Sequence, residues 1–294
     1  MAFTVHNVGC VSGGEAFLLI TDDKAAMIDT GFAFTAKETV SKVKGILDGR
    51  DLDYILLTHS HYDHVSGVSP LKRVWPNAQV ISAAHAAKVF EKPNAVKTMK
   101  RLNRAAAHSF KKSQFFKNDF KFLHTQRAVG EGDVIDMGEM KFTVLETPGH
   151  TWDTIAFWCP EERFLISNET MGVYASKTEM ATECLVSCRK ALEFIQRARE
   201  LDPQKMLMPH YGMVYDDICM KTIDMAERDT LKLKDLIVDG YSKGMDIEQL
   251  KKLVKDTVWV GPMKEGQPEA AFDLNNKYIV PVIVKEYCTQ ESEQ

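Results

Sequence analysis

The chain has 294 residues, 45% of them hydrophobic and 27% charged, with a formal net charge of −4. That length holds one large domain or two modest ones, with a core that needs no disulfides. The composition excludes collagen-like, disordered and disulfide-scaffold classes, and the mild acidity argues against a molecule built throughout to bind polyanions.

The N-terminal MAFTVHNVGCVSGG lacks a basic stretch leading into an apolar one, so no secretory leader is expected. No segment reaches the ~18 apolar residues of a membrane span. Short apolar runs between turn residues predict strands buried on both faces: AFLLI (16–20), AAMIDTG (25–31), DYILLT (53–58) and VWPNAQVISA (74–83). Val40, Val43, Ile46 and Leu47 predict a helix over 35–48. Residues 85–121 differ, with ten Lys and Arg against Glu91 and Asp119, a local net charge of +8, and read as a basic helical insertion. FTVLETPGH (142–150), TIAFWC (154–159), RFLIS (163–167) and KMLMPH (205–210) predict further strands, 179–201 a long helix, and 216 onward a helical tail. Strands interleaved with helices indicate a layered α/β domain. The six cysteines form no CxxC pair. Cys184 and Cys188, four apart in the predicted helix, read as structural, and a reducing cytoplasm is the expected compartment.

The densest chemical signal is T-H-S-H-Y-D-H, which places His59, His61, Asp63 and His64 directly after the strand DYILLT. Three imidazoles and a carboxylate so close together are costly as ordinary core and are the donors a divalent transition metal takes. His59 and His61, two apart, can point to one side of an extended segment, and Asp63 and His64 fall where the chain turns toward a helix. His150 follows one strand through Pro148–Gly149, Glu169 follows another, and His210 follows a third through Pro209. All lie just past a predicted strand end, where sites form in layered α/β folds. Taken alone, Glu169 reads more readily as a solvated loop residue than as a ligand. The set suffices for two metals with positions open to water and substrate. His6, His85, His108 and His124 lack such context.

These residues resemble the HxHxDH motif of the metallo-β-lactamase fold superfamily, and the further motifs follow in its order: M-I-D-T-G at Asp29, P-G-H-T at His150, L-I-S-N-E-T at Glu169 and L-M-P-H-Y-G at His210. The resemblance implies a four-layer αββα sandwich over residues 1–215 with the basic lid inserted at 85–121, and a helical extension over 216–294 packing on the core or on a second subunit. It implies two divalent transition metal ions, zinc foremost and iron or manganese as alternatives. His59, His61 and His150 would hold the first, Asp63, His64 and His210 the second, with Glu169 between them and Asp29 fixing a ligand histidine by its other ring nitrogen. The superfamily usually has Gly-Asp where this chain has Asn168–Glu169. The longer acid would bridge with a shifted backbone, bind one metal alone or change metal preference.

The implied chemistry is hydrolysis by hydroxide held between the metals, whose bound water has a pKa near ~7, with Asp63 orienting the nucleophile and carrying a proton. The architecture is similar to glyoxalase II-type and quinolone-signal-response thioesterases, the latter also carrying R-L-N-R as Arg101–Arg104 does. A thioester such as an acyl-CoA is therefore the expected substrate, with lactones, sulfate esters and phosphodiesters as alternatives. A regulatory protein that keeps the metal site and acts through a protein partner is the competing class. A third reading is a di-iron redox protein, which would carry glutamate at the position of His61 and a flavin domain. The lid cations could hold a phosphate-bearing carrier or simply be a solvated helix face. Phe110, Phe115, Phe116 and Phe120 could line an acyl pocket or anchor the lid. Tyr174 and Tyr211 could donate to a substrate oxygen or pack. No nucleic acid or membrane partner is expected; a homodimer is possible.

Overall fold

The computed structural model describes residues 3–112, 116–267 and 269–289. Phe115 and the parts of the predicted lid and tail at 113–114, 268 and 290–294 lie outside the described residues. The chain divides into two compact units, Met1–Glu146 with Ile155–Phe164, and Thr147–Thr154 with Leu165–Gln294.

The first unit contains the sheet β1 (Phe3–Asn7), β2 (Phe17–Thr21), β3 (Ala25–Ile28), β4 (Tyr54–Leu56), β5 (Gln79–Ala83) and β6 (Arg127–Val129), in that order across the sheet. The first three strands run antiparallel, and β3 to β6 are parallel, registered through Met27↔Ile55 and Ile55↔Val80. Every residue of β3 is buried, which is why the run reads as continuously apolar rather than alternating. The parallel crossovers are helical: α1 (Ala36–Leu47) after β3, α2 (Tyr62–Val65) and α3 (Val68–Val74) after β4, α4 (Ala84–Phe90) and α5 (Pro93–Ser109) after β5. Three antiparallel strands complete the unit, β7 (Val134–Met137), β8 (Met140–Glu146) and β9 (Ile155–Cys159), with Ile135↔Phe142 and Val144↔Phe157 in register.

The basic insertion is the helix pair α4 and α5. Lys88, Lys92, Lys97, Arg101 and Arg104 are exposed, so the charge lies on a solvated face. The aromatics anchor: Phe110 packs on Phe32 and Phe34 at ring-centroid distances of 6.0 and 5.7 Å, Phe116 on Phe34 at 6.0 Å, and Phe120 is buried. Within R-L-N-R the asparagine is the pin. Asn103 is fully buried, its Oδ1 accepts from Ala33 N at 2.8 Å, and its Nδ2 donates to Ser66 Oγ at 2.7 Å and Met99 O at 3.0 Å. Asn103→Leu leaves the Ala33 amide unpaired and is expected to cost about 2–3 kcal/mol in urea unfolding. An unchanged midpoint would show that the amide finds another acceptor.

The second unit takes up the chain at β10 (Phe164–Ile166), which starts on the last residue of the first unit. It continues through a 3-10 turn (Glu169–Met171), the hairpin β11 (Val173–Tyr174) and β12 (Met180–Ala181), α6 (Cys188–Leu201), and the hairpin β13 (Lys205–Met208) and β14 (Gly212–Tyr215). Four helices follow: α7 (Asp217–Ser242), α8 (Ile247–Val258), α9 (Gly261–Gly266) and α10 (Glu269–Tyr287). The helix predicted over 179–201 starts nine residues late. Ser187 Oγ accepts from Lys190 N at 3.1 Å as its N-cap, while Met180 N is drawn to Asp229 Oδ2 at 2.8 Å, so the segment before the cap is extended. Cys184 therefore precedes the helix on which Cys188 sits. Glu286 of α10 completes the cap, accepting from Cys188 N and Arg189 N at 2.9 and 3.0 Å.

Candidate metal centre

In the first unit the motif begins where β4 ends. Asp29, just past β3, is held at φ 55°, a left-handed conformation that Asp tolerates. Its Oδ1 accepts from Thr58 N at 2.9 Å, and its Oδ2 accepts from Thr58 Oγ1 and from His64 Nδ1, both at 2.8 Å. Thr58 Oγ1, its own hydrogen turned to Asp29, is left as the acceptor for His59 Nδ1 at 3.1 Å. His61 is the extended N-cap of α2, and Asp63 and His64 lie on that helix. The rings of His59 and His61 are 4.7 Å apart and those of His59 and His64 4.1 Å, so the alternation read from the sequence does gather these side chains. His64 Nε2 is 3.5 Å from Asp63 Oδ2. The turn after the motif is pressed against the end of β3. Thr30 N and Oγ1 both donate to His64 O, and a Cβ on Gly67 would come within 2.3 Å of Thr30 O, so only glycine fits there.

In the second unit His150 sits in the loop 147–154. Its backbone N donates to Thr170 Oγ1 at 3.1 Å, and its Nδ1 donates to Glu183 O at 2.8 Å. A Cβ on the preceding Gly149 would meet Thr170 Cγ2 at 2.5 Å, which fixes glycine in P-G-H-T. Asn168 caps the 3-10 turn, its Oδ1 accepting from Thr170 N and its Nδ2 donating to Thr147 Oγ1. Glu169, buried, spans two imidazoles: Oε2 is 2.7 Å from His150 Nε2, and Oε1 is 2.5 Å from His210 Nε2. His210 is held at φ 55° in the turn between β13 and β14. Burial opposes charging His150, but the Glu169 carboxylate beside it prevails and its pKa is raised. Burial pushes the Glu183 carboxyl up to about 7, against the pull of His150.

The donor chemistry fits a metal. His59, His64 and His150 each commit Nδ1 to a fixed oxygen acceptor. In the neutral imidazole this leaves Nε2 as the position open to a metal, with the supporting bond at Nδ1 that ligating histidines show. A carboxylate between two imidazole nitrogens, as at Glu169, is an arrangement held together by protons or by a metal cation.

His6, His85, His108 and His124 join neither the His59–His64 cluster nor the His150–Glu169–His210 cluster. Tyr174 gives its hydroxyl to Thr222 and stacks on Tyr211 at 4.2 Å, so it packs, while Tyr211 is half exposed. Two contributors escaped the sequence reading. Thr58 was within the motif but without a role, and Glu183 acts through its main-chain carbonyl, which any residue could supply.

These motifs and the α/β fold define a class: residues 11–208 match the Metallo-beta-lactamase superfamily, and the chain belongs to it. Its particular likenesses are distant. It is 29% identical over 193 residues to hydroxyacylglutathione hydrolase of Bdellovibrio bacteriovorus, covering 64% of this chain and 60% of that protein. It is 22% identical over 263 residues to nitric oxide reductase of Moorella thermoacetica, covering 84% of this chain and 57% of that protein. The chain thus spans less than two thirds of the length of these relatives. Among solved structures, a metallo-beta-lactamase family protein from Thermus thermophilus superimposes with a TM-score of 0.63 at 16% identity, over 97% of this chain and 93% of that one. That likeness bears on fold alone.

Proposed function

We propose that the chain is a dinuclear metal-dependent hydrolase acting on a thioester or a related ester. The observation that carries this reading is the shared placement of Nδ1 of His59, His64 and His150 against an oxygen at 2.8–3.1 Å, which leaves Nε2 of each for a metal. Two clusters support it, His59, His61, Asp63 and His64 within the first unit and His150, Glu169 and His210 within the second, where Glu169 lies between the two imidazoles. Bound ions supply Lewis acidity and a water of lowered pKa. The residues supply the rest. Asp63 orients the attacking water and carries its proton. Asp29 and the Glu183 carbonyl hold the imidazoles in register. Asn168, tied to Thr147 and Thr170, fixes where the longer Glu169 starts.

The thioester reading draws support from the hydroxyacylglutathione hydrolase relative. A glutathione- or CoA-linked small molecule is the substrate class, with the solvated α4–α5 cations as the proposed contact for its anionic carrier. Zinc is the expected metal, with iron or manganese as alternatives. Residues 1–215 form the catalytic domain and 216–294 a helical extension. No helix among the described residues is long and apolar enough to cross a membrane, and six free cysteines are in keeping with a reducing cytoplasm. A homodimer is tested by light scattering.

The decisive experiment is metal analysis of the purified chain, followed by a panel of glutathione and CoA thioesters, lactones, sulfate esters and phosphodiesters. Thioester turnover that tracks metal content is the expected result. Bound metal without turnover would favour the regulatory class, and absence of transition metal would remove the reading altogether. Glu169→Asp shortens the shared carboxylate by one methylene and is expected to lower metal content or turnover about tenfold or more. Unchanged values would make the longer acid incidental.

A further inference from the structure

The carboxylate of Glu183 has no part in the candidate metal centre, which uses only the main-chain carbonyl of that residue. Glu183 also lines a cavity of about 440 Å³ in the second unit, within the range that accepts a small organic ligand. Its Oε1 accepts from Gln267 Nε2 at 3.0 Å and its Oε2 from Asn275 Nδ2 at 2.6 Å, and both of these amides belong to the same cavity wall. The residue is 6% exposed, and neutral amides alone meet its carboxylate, with no lysine or arginine among the described residues in ion-pair contact. A carboxylate taken out of water calls for a cation. The cations of the lining do not supply it. Arg228 is occupied by Asp229, to which it donates at 2.8 and 2.7 Å, and by Thr178 O at 2.7 Å, and Lys232 is exposed. Glu179 adds a further acid, so three carboxylates stand against two cations around the cavity. Gln267 and Asn275 turn their NH2 groups to Glu183, which directs their carbonyl oxygens away from it. These oxygens have no protein partner among the described residues, yet neither is enclosed. Both are open acceptors, polarised by the charge behind them.

We propose that this cavity binds a protonated primary amine with a small apolar body, the ammonium on the open oxygens of Gln267 and Asn275 with the Glu183 carboxylate behind them. The body lies against Leu233, Val254, Phe272 and Ile279, buried side chains of the same lining. An ammonium brings three donors and the missing positive charge. An alcohol brings a donor alone, and a carboxylate meets like charge. The site therefore ranks three ligands of similar shape in that order, because hydrogen bonds from a charged donor are the stronger ones and like charges repel.

The probes are phenethylamine, phenethyl alcohol and hydrocinnamate, each titrated into the full chain by calorimetry at about pH 8, above the value of about 7 to which burial pushes the Glu183 carboxyl. The amine is expected to bind saturably, the alcohol at least about tenfold more weakly, and the carboxylate more weakly still. Glu183→Gln keeps the main-chain carbonyl that holds His150 and nearly the same volume, and is expected to bring amine and alcohol within about threefold of each other. Ile279→Trp fills the space and is expected to abolish saturable binding of the amine. Absence of saturable amine binding, equal binding of amine and alcohol by the unaltered chain, an amine preference that survives Glu183→Gln, or amine binding that survives Ile279→Trp would each overturn the proposal. The comparison of the three probes on the unaltered chain needs no variant to fold and no metal to be bound.

Discussion

Replacing His61 with alanine is expected to remove one equivalent of metal and to reduce hydrolysis by a factor on the order of 10³ or more, because a water without its metal is no longer acidic near neutral pH. His61 stands at the N-cap of α2 in extended backbone, with no side-chain cap bond of its own. Alanine there leaves the helix and the strand before it intact, so the unfolding midpoint should hardly move. The proposed first metal, however, loses one of the three imidazoles assigned to it, and a catalytic site keeps three protein ligands. Elemental analysis and turnover on whichever substrate of the panel the unaltered chain hydrolyses are measured together. Activity that survives with a full metal complement would show the ligand assignment to be wrong.

The second large effect belongs to a residue that need touch neither metal nor substrate. Asp29→Ala deletes the acceptor for Thr58 N, Thr58 Oγ1 and His64 Nδ1. Each buried donor left unpaired costs about 1–3 kcal/mol, and alanine at φ 55° adds about 1 kcal/mol of backbone strain. A loss of about 3–5 kcal/mol in stability is expected by chemical denaturation. Losing the bond that orients His64 should weaken metal affinity by about 10–100-fold. Asp29→Asn separates the two effects. Its carbonyl oxygen can still accept from Thr58 N, but its amide cannot accept from His64, so most stability returns while metal affinity stays low. If Asn restored the affinity as well, His64 would be positioned by something other than this carboxylate.

Much of this was legible in the chain because the chemistry is concentrated. Three imidazoles and a carboxylate in six positions have few uses other than metal, and strand-end placement marked His150, Glu169 and His210 without any coordinates. Runs such as AAMI read correctly because strands buried on both faces lose their alternation. What stayed hidden lacked a side-chain signature. The Glu183 carbonyl is invisible to residue type. The start of α6 was overrun because apolar spacing continues back to 179, and only the Ser187 cap and the Met180–Asp229 bond decide where extension stops. The Phe cluster of the basic insertion was ambiguous until Phe32 and Phe34 were seen to meet it. Asn103, unremarkable within a basic run, proved to be the buried pin of α5.

The division of the chain has a consequence for biosynthesis. Each compact unit is assembled from two separate stretches of sequence, and the eight residues carrying His150 belong to the second unit although they are flanked on both sides by strands of the first. A ribosome therefore cannot release one finished unit and then begin the other. β8 has been made before its partner β9 exists, and the loop between them must wait for Thr170 and Glu183 to be translated before its histidine is anchored. No single cut in the polypeptide yields either unit whole, and separating the two requires three breaks, one on each side of the His150 loop and one after Phe164.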